Sequence, residues 1–318
     1  MTQPVTQPVT QPLTQPYDPE LAPWAPVFAQ LSFADIPAAR AGEADLLAAL
    51  PPYDPPVPLE VDELLIPGPE DAPEVRVRRY RPVLRDAALP GLVYFHGGGF
   101  VVGGYETHGN LCEVMSDRAR VHVLFVDYRL APEHPFPAGL VDCYAALELL
   151  AHLPGVDASR IAVHGASAGA ALAAGVTLLS RDRDGPAIRL QSLNVPVLDD
   201  RLQTRSMTAF VDTPIWNRSQ ADKSWKHYLA GRPADGYAAP ARTEDLSGLP
   251  PTYLVTGELD PLRDEGIAYA TRLLEAGVSV ELHQFPGAFH GSTAVPQAGI
   301  SRRMNDELVV VLRRALSS

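Results

Sequence analysis

A serine flanked by small residues is the first candidate for covalent chemistry. Ser167 is the centre of the motif GASAG (165–169), which lies between the apolar run Arg160–His164 and an alanine-rich stretch. A strand, a sharp turn of small residues and a helix present a nucleophilic serine at a helix N-terminus, where backbone N–H groups can stabilise a negative oxygen. The motif alone is weakly specific. A tight turn in which Ser167 merely caps the helix would need the same residue types.

A second candidate is the glycine run HGGGF (96–100), which directly follows an apolar run. Consecutive glycines allow backbone N–H groups to turn toward a cavity, and a loop that binds an oxyanion requires this. A phosphate-binding loop is the alternative, but the dinucleotide-type glycine spacing fails at Val102 and a P-loop lysine is missing. A flexible loop with no chemical role remains a further alternative. The string itself resembles the oxyanion signature of lipases and esterases.

A carboxylate that orients a histidine would complete a nucleophilic triad. Asp260 follows the predicted strand Thr252–Thr256, at the carboxyl end where active sites of open α/β sheets gather. The same aspartate could cap the following helix, and both roles are compatible. Asp264 is the rival carboxylate, but it is expected one turn into that helix. We therefore favour Asp260.

The histidine is chosen by its place relative to a strand. His290 lies on a glycine-flanked loop beyond the predicted strand Val280–Phe285, whereas His283 lies within that strand. The order Ser167, Asp260, His290 is the α/β-hydrolase order and differs from those of chymotrypsin and subtilisin. Together the motifs predict acyl transfer through a serine nucleophile.

The elements that must position these residues read as an α/β fold. After two consecutive strands, expected to pair antiparallel, strands alternate with helices and are expected to be parallel and apolar throughout. The segment at about 200–235 interrupts this alternation and reads as an insertion. The predicted strands are Leu59–Ile66, Val75–Arg81, Gly91–Phe95, Val121–Val126, Arg160–His164, Leu190–Val195, Thr252–Thr256 and Val280–Phe285. Helices are predicted near 107–120, 138–152, 168–182, 262–276 and 300–316.

Composition narrows the class of protein. The chain has 318 residues, 46% of them hydrophobic, which suits one large α/β domain with additions. A net charge of −12 argues against general nucleic-acid binding, and no apolar run is long enough to span a membrane. Two cysteines, Cys112 and Cys143, cannot form a disulfide framework and are expected as buried thiols in a reducing cytoplasm. No Cys/His spacing predicts a metal site.

The 32 prolines concentrate at the front of the chain. Residues 1–16 repeat Thr-Gln-Pro plus an apolar residue, which predicts an extended tail rather than a helix. Residues 17–50 predict two short helices, and residues 51–318 form the predicted catalytic domain with its insertion at about 200–235.

With these motifs the chain resembles the hormone-sensitive-lipase-like esterases of the α/β-hydrolase superfamily. The resemblance covers about residues 75–295 and includes DYRLAPEHPFPA (127–138) and DPLRDE (260–265). It implies a mostly parallel eight-stranded sheet with helices on both faces and a helical cap from 17–50 and 200–235. Ala166 departs from the usual aspartate of the family's elbow. The roles implied are nucleophile for Ser167, general base for His290, orienting acid for Asp260, oxyanion donors for Gly98, Gly99 and Ala168, and support from His96 and Glu133.

The function expected from this resemblance is hydrolysis of carboxylic esters with short to medium acyl chains, without metal or organic cofactor. An apolar pocket is predicted from cap and loop aromatics, although aromatic residues equally often form a core of their own. An amidase, arylformamidase or peptidase on the same triad is the alternative, and a non-catalytic receptor-like relative is disfavoured by the intact triad. A small ester is the expected partner, and a homodimer is left open. The predicted pocket residues are Phe28, Phe33, Phe100, Phe210 and Trp216.

Overall fold

A twisted sheet of eight strands forms the centre of the protein. The computed structural model describes residues 16–28, 33–48, 53–68, 73–84 and 88–317. The strand order is β1-β2-β4-β3-β5-β6-β7-β8. β1 pairs antiparallel with β2, and β2 pairs antiparallel with β4, while all other neighbours are parallel. The strands are β1 Leu59–Ile66, β2 Val75–Pro82, β3 Leu89–Phe95, β4 His122–Asp127, β5 Val156–Ala166, β6 Leu190–Asn194, β7 Thr252–Gly257 and β8 Val280–Phe285.

Helices cover both faces of this sheet because its central strands are apolar on both sides. Along β3, Val93 belongs to the core under α4, α5 and α8, whereas Leu92 and Tyr94 belong to the core under α3 and α9. The helices are α1 Ala25–Phe28, α2 Ile36–Ala48, α3 Tyr105–Ala119, α4 Ala138–His152, α5 Ala168–Asp182, α6 Arg205–Ala209, α7 Arg218–Leu229, α8 Arg263–Glu275 and α9 Gly299–Ala315.

The predicted fold class is confirmed, with small differences at element boundaries. Strand β5 begins at Val156, four residues earlier than predicted, because Val156 and Asp157 already pair with the start of β3. The expectation of strands that are apolar throughout is wrong for β8. As the last strand of the sheet it has one neighbour only. Phe285 is its one buried residue, Leu282 and Gln284 are exposed, and the other residues are half-buried. Residues 1–15 of the predicted tail lie outside the described residues.

The two neighbouring strands at one edge of the sheet, β1 and β2, are joined by a row of ion pairs. Arg81, Arg79 and Arg78 on β2 pair with Glu60, Asp62 and Glu63 on β1, directly across the strands. Opposite charges at facing positions favour this register, since a one-residue slip would place side chains on the wrong face.

One arginine connects the N-terminal helices to the sheet loops. Arg40 on α2 donates from Nε to the Val101 carbonyl at 2.9 Å and from Nη2 to the Ala131 carbonyl at 3.3 Å. Its guanidinium also binds the carboxylate of Glu133 in two-pronged fashion, at 3.0 and 2.8 Å. A single side chain thus holds α2 against the loops that follow β3 and β4.

We expect Arg40→Ala to lower the free energy of unfolding by about 1 kcal/mol. The ion pair with Glu133 is partly exposed and contributes little, but the carbonyl groups of Val101 and Ala131 lose their hydrogen-bond donor. Urea denaturation measures this, and hydrogen exchange should rise in α2. Lys226→Ala is the matched control, since Lys226 has only an exposed pair with Asp222 at 2.7 Å. Equal losses in the two variants would show that the backbone contacts of Arg40 contribute nothing.

Candidate active site

Ser167 lies at a strained turn between β5 and α5. Its φ is +56° and its ψ is −118°, a conformation that costs a non-glycine residue of the order of 1–3 kcal/mol. Hydrogen bonds hold the turn: the Ser167 N–H donates to the Asn194 carbonyl at 2.8 Å, and the Ser167 carbonyl accepts from Ala170 and Val197 at 3.0 and 3.2 Å. The hydroxyl does not cap α5. Ser167 thus occupies the N-cap position of α5, but its side chain is left available for other contacts.

The small residues of the turn are required by a close approach of α5 to β3. A Cβ added to Gly169 would lie 2.0 Å from the Phe95 carbonyl oxygen and 2.4 Å from that of His96. Only glycine allows the first turn of α5 to press against the end of β3. This contact brings Ser167 beside the glycine loop that follows β3.

Ser167, His290 and Asp260 form one buried chain of hydrogen bonds. His290 Nε2 is 2.9 Å from Ser167 Oγ, and His290 Nδ1 is 2.8 Å from Asp260 Oδ2. Because a carboxylate only accepts, Nδ1 carries the proton and Nε2 is left as the acceptor for the serine hydroxyl. The exposed fractions are 6%, 3% and 1% for the three residues, so the chain is shielded from bulk water.

Asp260 also fixes the start of the next helix. Its second oxygen, Oδ1, accepts from the Leu262 N–H at 2.9 Å. Asp264 points elsewhere, because Oδ2 accepts from the Ser206 N–H at 2.7 Å and Oδ1 pairs with Arg263 at 2.8 Å. The structure thus brings Asp260, and not its rival, to His290.

The glycine loop presents backbone donors next to Ser167. Gly98 and Gly99 have φ of +108° and +58°, and the Gly98 carbonyl accepts from Val101 and Val102 at 3.0 Å. A Cβ on Gly97 would be 3.5 Å from the Cβ of Ser167. Within the described part of the chain, the N–H groups of Gly98, Gly99 and Ala168 have no hydrogen-bond acceptor.

His96 binds the backbone of the glycine loop and packs against its neighbours. It is fully buried, Nδ1 donates to the Gly97 carbonyl at 2.6 Å, and its ring stacks on Tyr128 at 4.2 Å. The Tyr128 hydroxyl in turn donates to the His96 carbonyl at 2.8 Å. Burial lowers the pKa of His96 to about 3, and neighbouring His108 adds to the effect. The ring is therefore neutral near pH 7 and acts through packing and one hydrogen bond.

Two of the five predicted pocket aromatics lie over the glycine loop. A Cβ on Gly99 would be 2.6 Å from Phe33 Cε2 and 3.0 Å from Trp216 Cζ3, and the Trp216 and His290 ring centroids are 5.7 Å apart. The other three are buried among different partners. Phe28 packs against Phe289, Phe100 against Tyr228, and Phe210 beneath the guanidinium of Arg263.

Sequence reasoning missed three residues that hold these parts together. Ser224 on α7 donates its hydroxyl to the Gly99 carbonyl, and the Gln220 side chain accepts from the Phe33 N–H at 3.0 Å. Their spacing of four residues places both on the buried face of α7. Arg40, described above, is the third. It also explains the place of Glu133, which forms an exposed ion pair with Arg40 and does not lie beside Ser167.

The described residues contain no cluster of three or more histidine, cysteine or acidic side chains that could hold a metal ion. Among the helices described, none has both the length and the apolar character needed to cross a membrane. Cys112 and Cys143 are both buried free thiols, and burial raises their pKa well above the ordinary value.

Comparison with known proteins identifies the family. A family model described as an alpha/beta hydrolase fold matches residues 92–294. The carboxylic ester hydrolase LipN of Mycobacterium tuberculosis is 40% identical over 300 residues, covering 89% of this chain and 77% of that protein. The chain belongs to the hormone-sensitive-lipase-like esterases of the α/β-hydrolase superfamily. Carboxylesterase NlhH of the same species is 43% identical over 244 residues, covering 73% of this chain and 75% of that protein.

A solved structure supports the same placement of this esterase. A bacterial heroin esterase matches with a TM-score of 0.90 at 47% identity, covering 95% of this chain and 98% of that one. The predicted fold and family are thus confirmed. The protein is an enzyme of the carboxylesterase class.

We expect Gly99→Ala to disturb the contact between the glycine loop and the two aromatic rings. Gly231→Ala is the matched control, because Gly231 also has positive φ (+80°) but a Cβ there would meet nothing within 4 Å. Backbone strain alone should lower the free energy of unfolding by about 1 kcal/mol in the control. The loss should be larger in Gly99→Ala, with a changed near-ultraviolet dichroism from Trp216. Urea unfolding measures both, and equal losses would contradict the tight contact.

Proposed function

We propose that this enzyme hydrolyses carboxylic esters through an acyl-enzyme on Ser167, with His290 as general base and acid and Asp260 as the orienting carboxylate. The observation that carries the proposal is the buried chain from Asp260 Oδ2 through His290 to Ser167 Oγ, with both contacts at 2.8–2.9 Å. Nucleophile, base and orienting group within hydrogen-bond reach are what such a reaction requires.

The first half of the reaction forms the acyl-enzyme. His290 Nε2 takes the proton of Ser167 as Oγ attacks the ester carbonyl carbon, and the carbonyl oxygen becomes negative. Asp260 stabilises the imidazolium that results. When the tetrahedral intermediate collapses, the bond to the alcohol oxygen breaks and His290 gives that oxygen its proton.

In the second half, water enters where the alcohol left. His290 removes a proton from the water, the hydroxide attacks the acyl carbon, and Ser167 leaves with the proton returned by His290. The products are a carboxylic acid and the free enzyme, so no external oxidant, reductant or cofactor enters the balance.

The negative oxygen is held, in this proposal, by the N–H groups of Gly98, Gly99 and Ala168. Ala168 follows Ser167 in the chain, Gly98 and Gly99 follow Gly97, which lies against Ser167, and the three N–H groups have no acceptor among the described residues. The N-terminal end of α5 adds a favourable dipole. Removal of one such donor costs about 3 kcal/mol of transition-state stabilisation in well-studied cases.

Phe33 and Trp216 are proposed to border the acyl group and to favour short to medium chains. A Cβ on Gly99 would meet both rings, and the Trp216 ring lies next to His290, so both rings border the glycine loop where the carbonyl group is proposed to bind. We assign Phe28, Phe100 and Phe210 a packing role away from the acyl group, because their ring contacts are with other residues. A cytoplasmic location and a homodimer remain predictions from the sequence.

Removing the nucleophile or the acid should abolish activity on p-nitrophenyl acetate. We expect Ser167→Ala and Asp260→Asn each to lower kcat by about 10⁴-fold. Ser167→Ala removes the attacking hydroxyl, and Asp260→Asn leaves His290 in the wrong tautomer. Asp264→Asn is the matched control and should stay within tenfold of the native rate. Full activity of Ser167→Ala would rule out the mechanism, and a large loss in Asp264→Asn alone would reassign the acid.

A panel of p-nitrophenyl esters from acetate to palmitate tests the acyl wall. The native enzyme should be fastest on short to medium chains, and Trp216→Ala should move the optimum to longer chains by removing the ring next to His290. Trp24→Ala is the control, because Trp24 packs on Phe28 and not at Ser167. A native optimum at palmitate would contradict the short-chain assignment, and matched amides cleaved faster than esters would favour an amidase.

A further inference from the structure

A buried glutamate lies beside the proposed triad without being part of it. Glu265 is on α8, one turn after the loop that carries Asp260, and only 3% of its surface is exposed. Its Oε1 accepts from the Leu198 N–H at 2.6 Å and from the Asp199 N–H at 3.3 Å. Its Oε2 has no partner among the described residues. An acid so placed requires an explanation, because burying an unpaired charge is costly.

The protonation state follows from these surroundings. Burial raises the pKa of Glu265 well above its ordinary value, and the nearby carboxylates of Asp199 and Asp260 raise it further. The two backbone donors act in the opposite sense but do not offset the burial. Burial thus favours the uncharged form of Glu265, which can still accept hydrogen bonds through Oε1 and places no second negative charge near Asp260.

The backbone that Glu265 holds is the turn behind the nucleophile. This turn, residues 195–199, follows β6, and its Val197 N–H donates to the carbonyl of Ser167 itself at 3.2 Å. The Leu198 carbonyl accepts from the Ala241 N–H at 3.1 Å. Leu198 and Asp199, the next residues of the same turn, are those that Glu265 binds. The strained conformation of Ser167 is thus supported by a turn that Glu265 anchors.

The helix that carries Glu265 also begins at the triad acid. Asp260 Oδ1 accepts from Leu262, and the Leu262 carbonyl accepts from the Gly266 N–H at 3.0 Å, so Asp260 and Glu265 share the first turns of one rigid element. A displacement of α8 relative to the 195–199 turn would alter the distance between Asp260 and Ser167. His290 spans that distance with two hydrogen bonds.

We propose that Glu265 is a positioning residue of the hydrolytic site: through the hydrogen bonds that its Oε1 accepts, it ties the turn behind Ser167 to the helix that follows Asp260. The inference rests on the proposed function of Ser167, His290 and Asp260. It adds a residue that touches neither substrate nor the reacting atoms, yet sets the spacing between nucleophile and acid.

Two substitutions separate the acceptor from the charge. Glu265→Gln keeps an oxygen for Leu198 and Asp199 but cannot ionise, whereas Glu265→Met has similar length and no acceptor. We expect the glutamine variant to retain kcat within threefold, with the acid limb of its pH–rate profile unchanged. The methionine variant should lose at least tenfold in kcat, with KM within threefold, because the spacing of reacting groups changes more than substrate binding does.

Gln191→Met controls for a general loss of stability. Gln191 is fully buried on β6, and its amide binds Thr252 Oγ1 at 2.7 Å. The Gln191→Met variant should be less stable, because it too replaces a buried polar side chain by methionine, but it should keep the native kcat per folded molecule. Circular dichroism determines the folded fraction. A Glu265→Met enzyme with native kcat per folded molecule would overturn the proposal.

A Glu265→Gln enzyme as slow as Glu265→Met, or one with a shifted acid limb, would show that Glu265 does not act as a hydrogen-bond acceptor alone and would overturn the proposal. Failure of this inference is distinguishable from failure of the mechanism. If Ser167→Ala is inactive while Glu265→Met is fully active, only the positioning role is lost. If Ser167→Ala is active, the mechanism itself is wrong.

Discussion

The close contact between β3 and β5 is the constraint on which the site depends. Their parallel pairing brings the ends of both strands to the same edge of the sheet, and Gly169 lets α5 press against the carbonyls of Phe95 and His96. The turn of Ser167 and the glycine loop are therefore neighbours by construction. The strain at Ser167 is tolerated because hydrogen bonds from the end of β6, the turn that follows it and the first turn of α5 fix both its N–H and its carbonyl group.

A second set of contacts covers the glycine loop at this edge of the sheet. Phe33 from the N-terminal segment and Ser224 from α7 both meet Gly99, and Gln220 joins the two segments to each other through the Phe33 N–H. Segments that are distant in sequence thus converge on one glycine. Any side chain at Gly99 would displace them, so the same small residue serves the backbone donors and the packing above them.

The sequence was sufficient to predict all eight strands, the antiparallel pairing of the first two and the residues of the Ser167–His290–Asp260 chain. These signals are local: a strand ends, a loop of special composition follows, and parallel strands bring such loops together. Contacts between remote segments could not be predicted in this way. Arg40 meets Val101, Ala131 and Glu133 only through tertiary packing, and nothing in its own neighbourhood distinguishes it from an exposed helical arginine.

Buried carboxyl groups show why pattern alone is insufficient at this edge. DPLRDE contains three acidic residues, and the structure distinguishes them by their environment. Asp260 faces an imidazole, Asp264 faces a guanidinium and a backbone donor, and Glu265 faces backbone donors while buried. A carboxylate beside His290 is stabilised by the positive charge that develops there. A second negative charge near Asp260 would compete for it, and the burial of Glu265 disfavours such a charge because it raises the pKa of that carboxyl group.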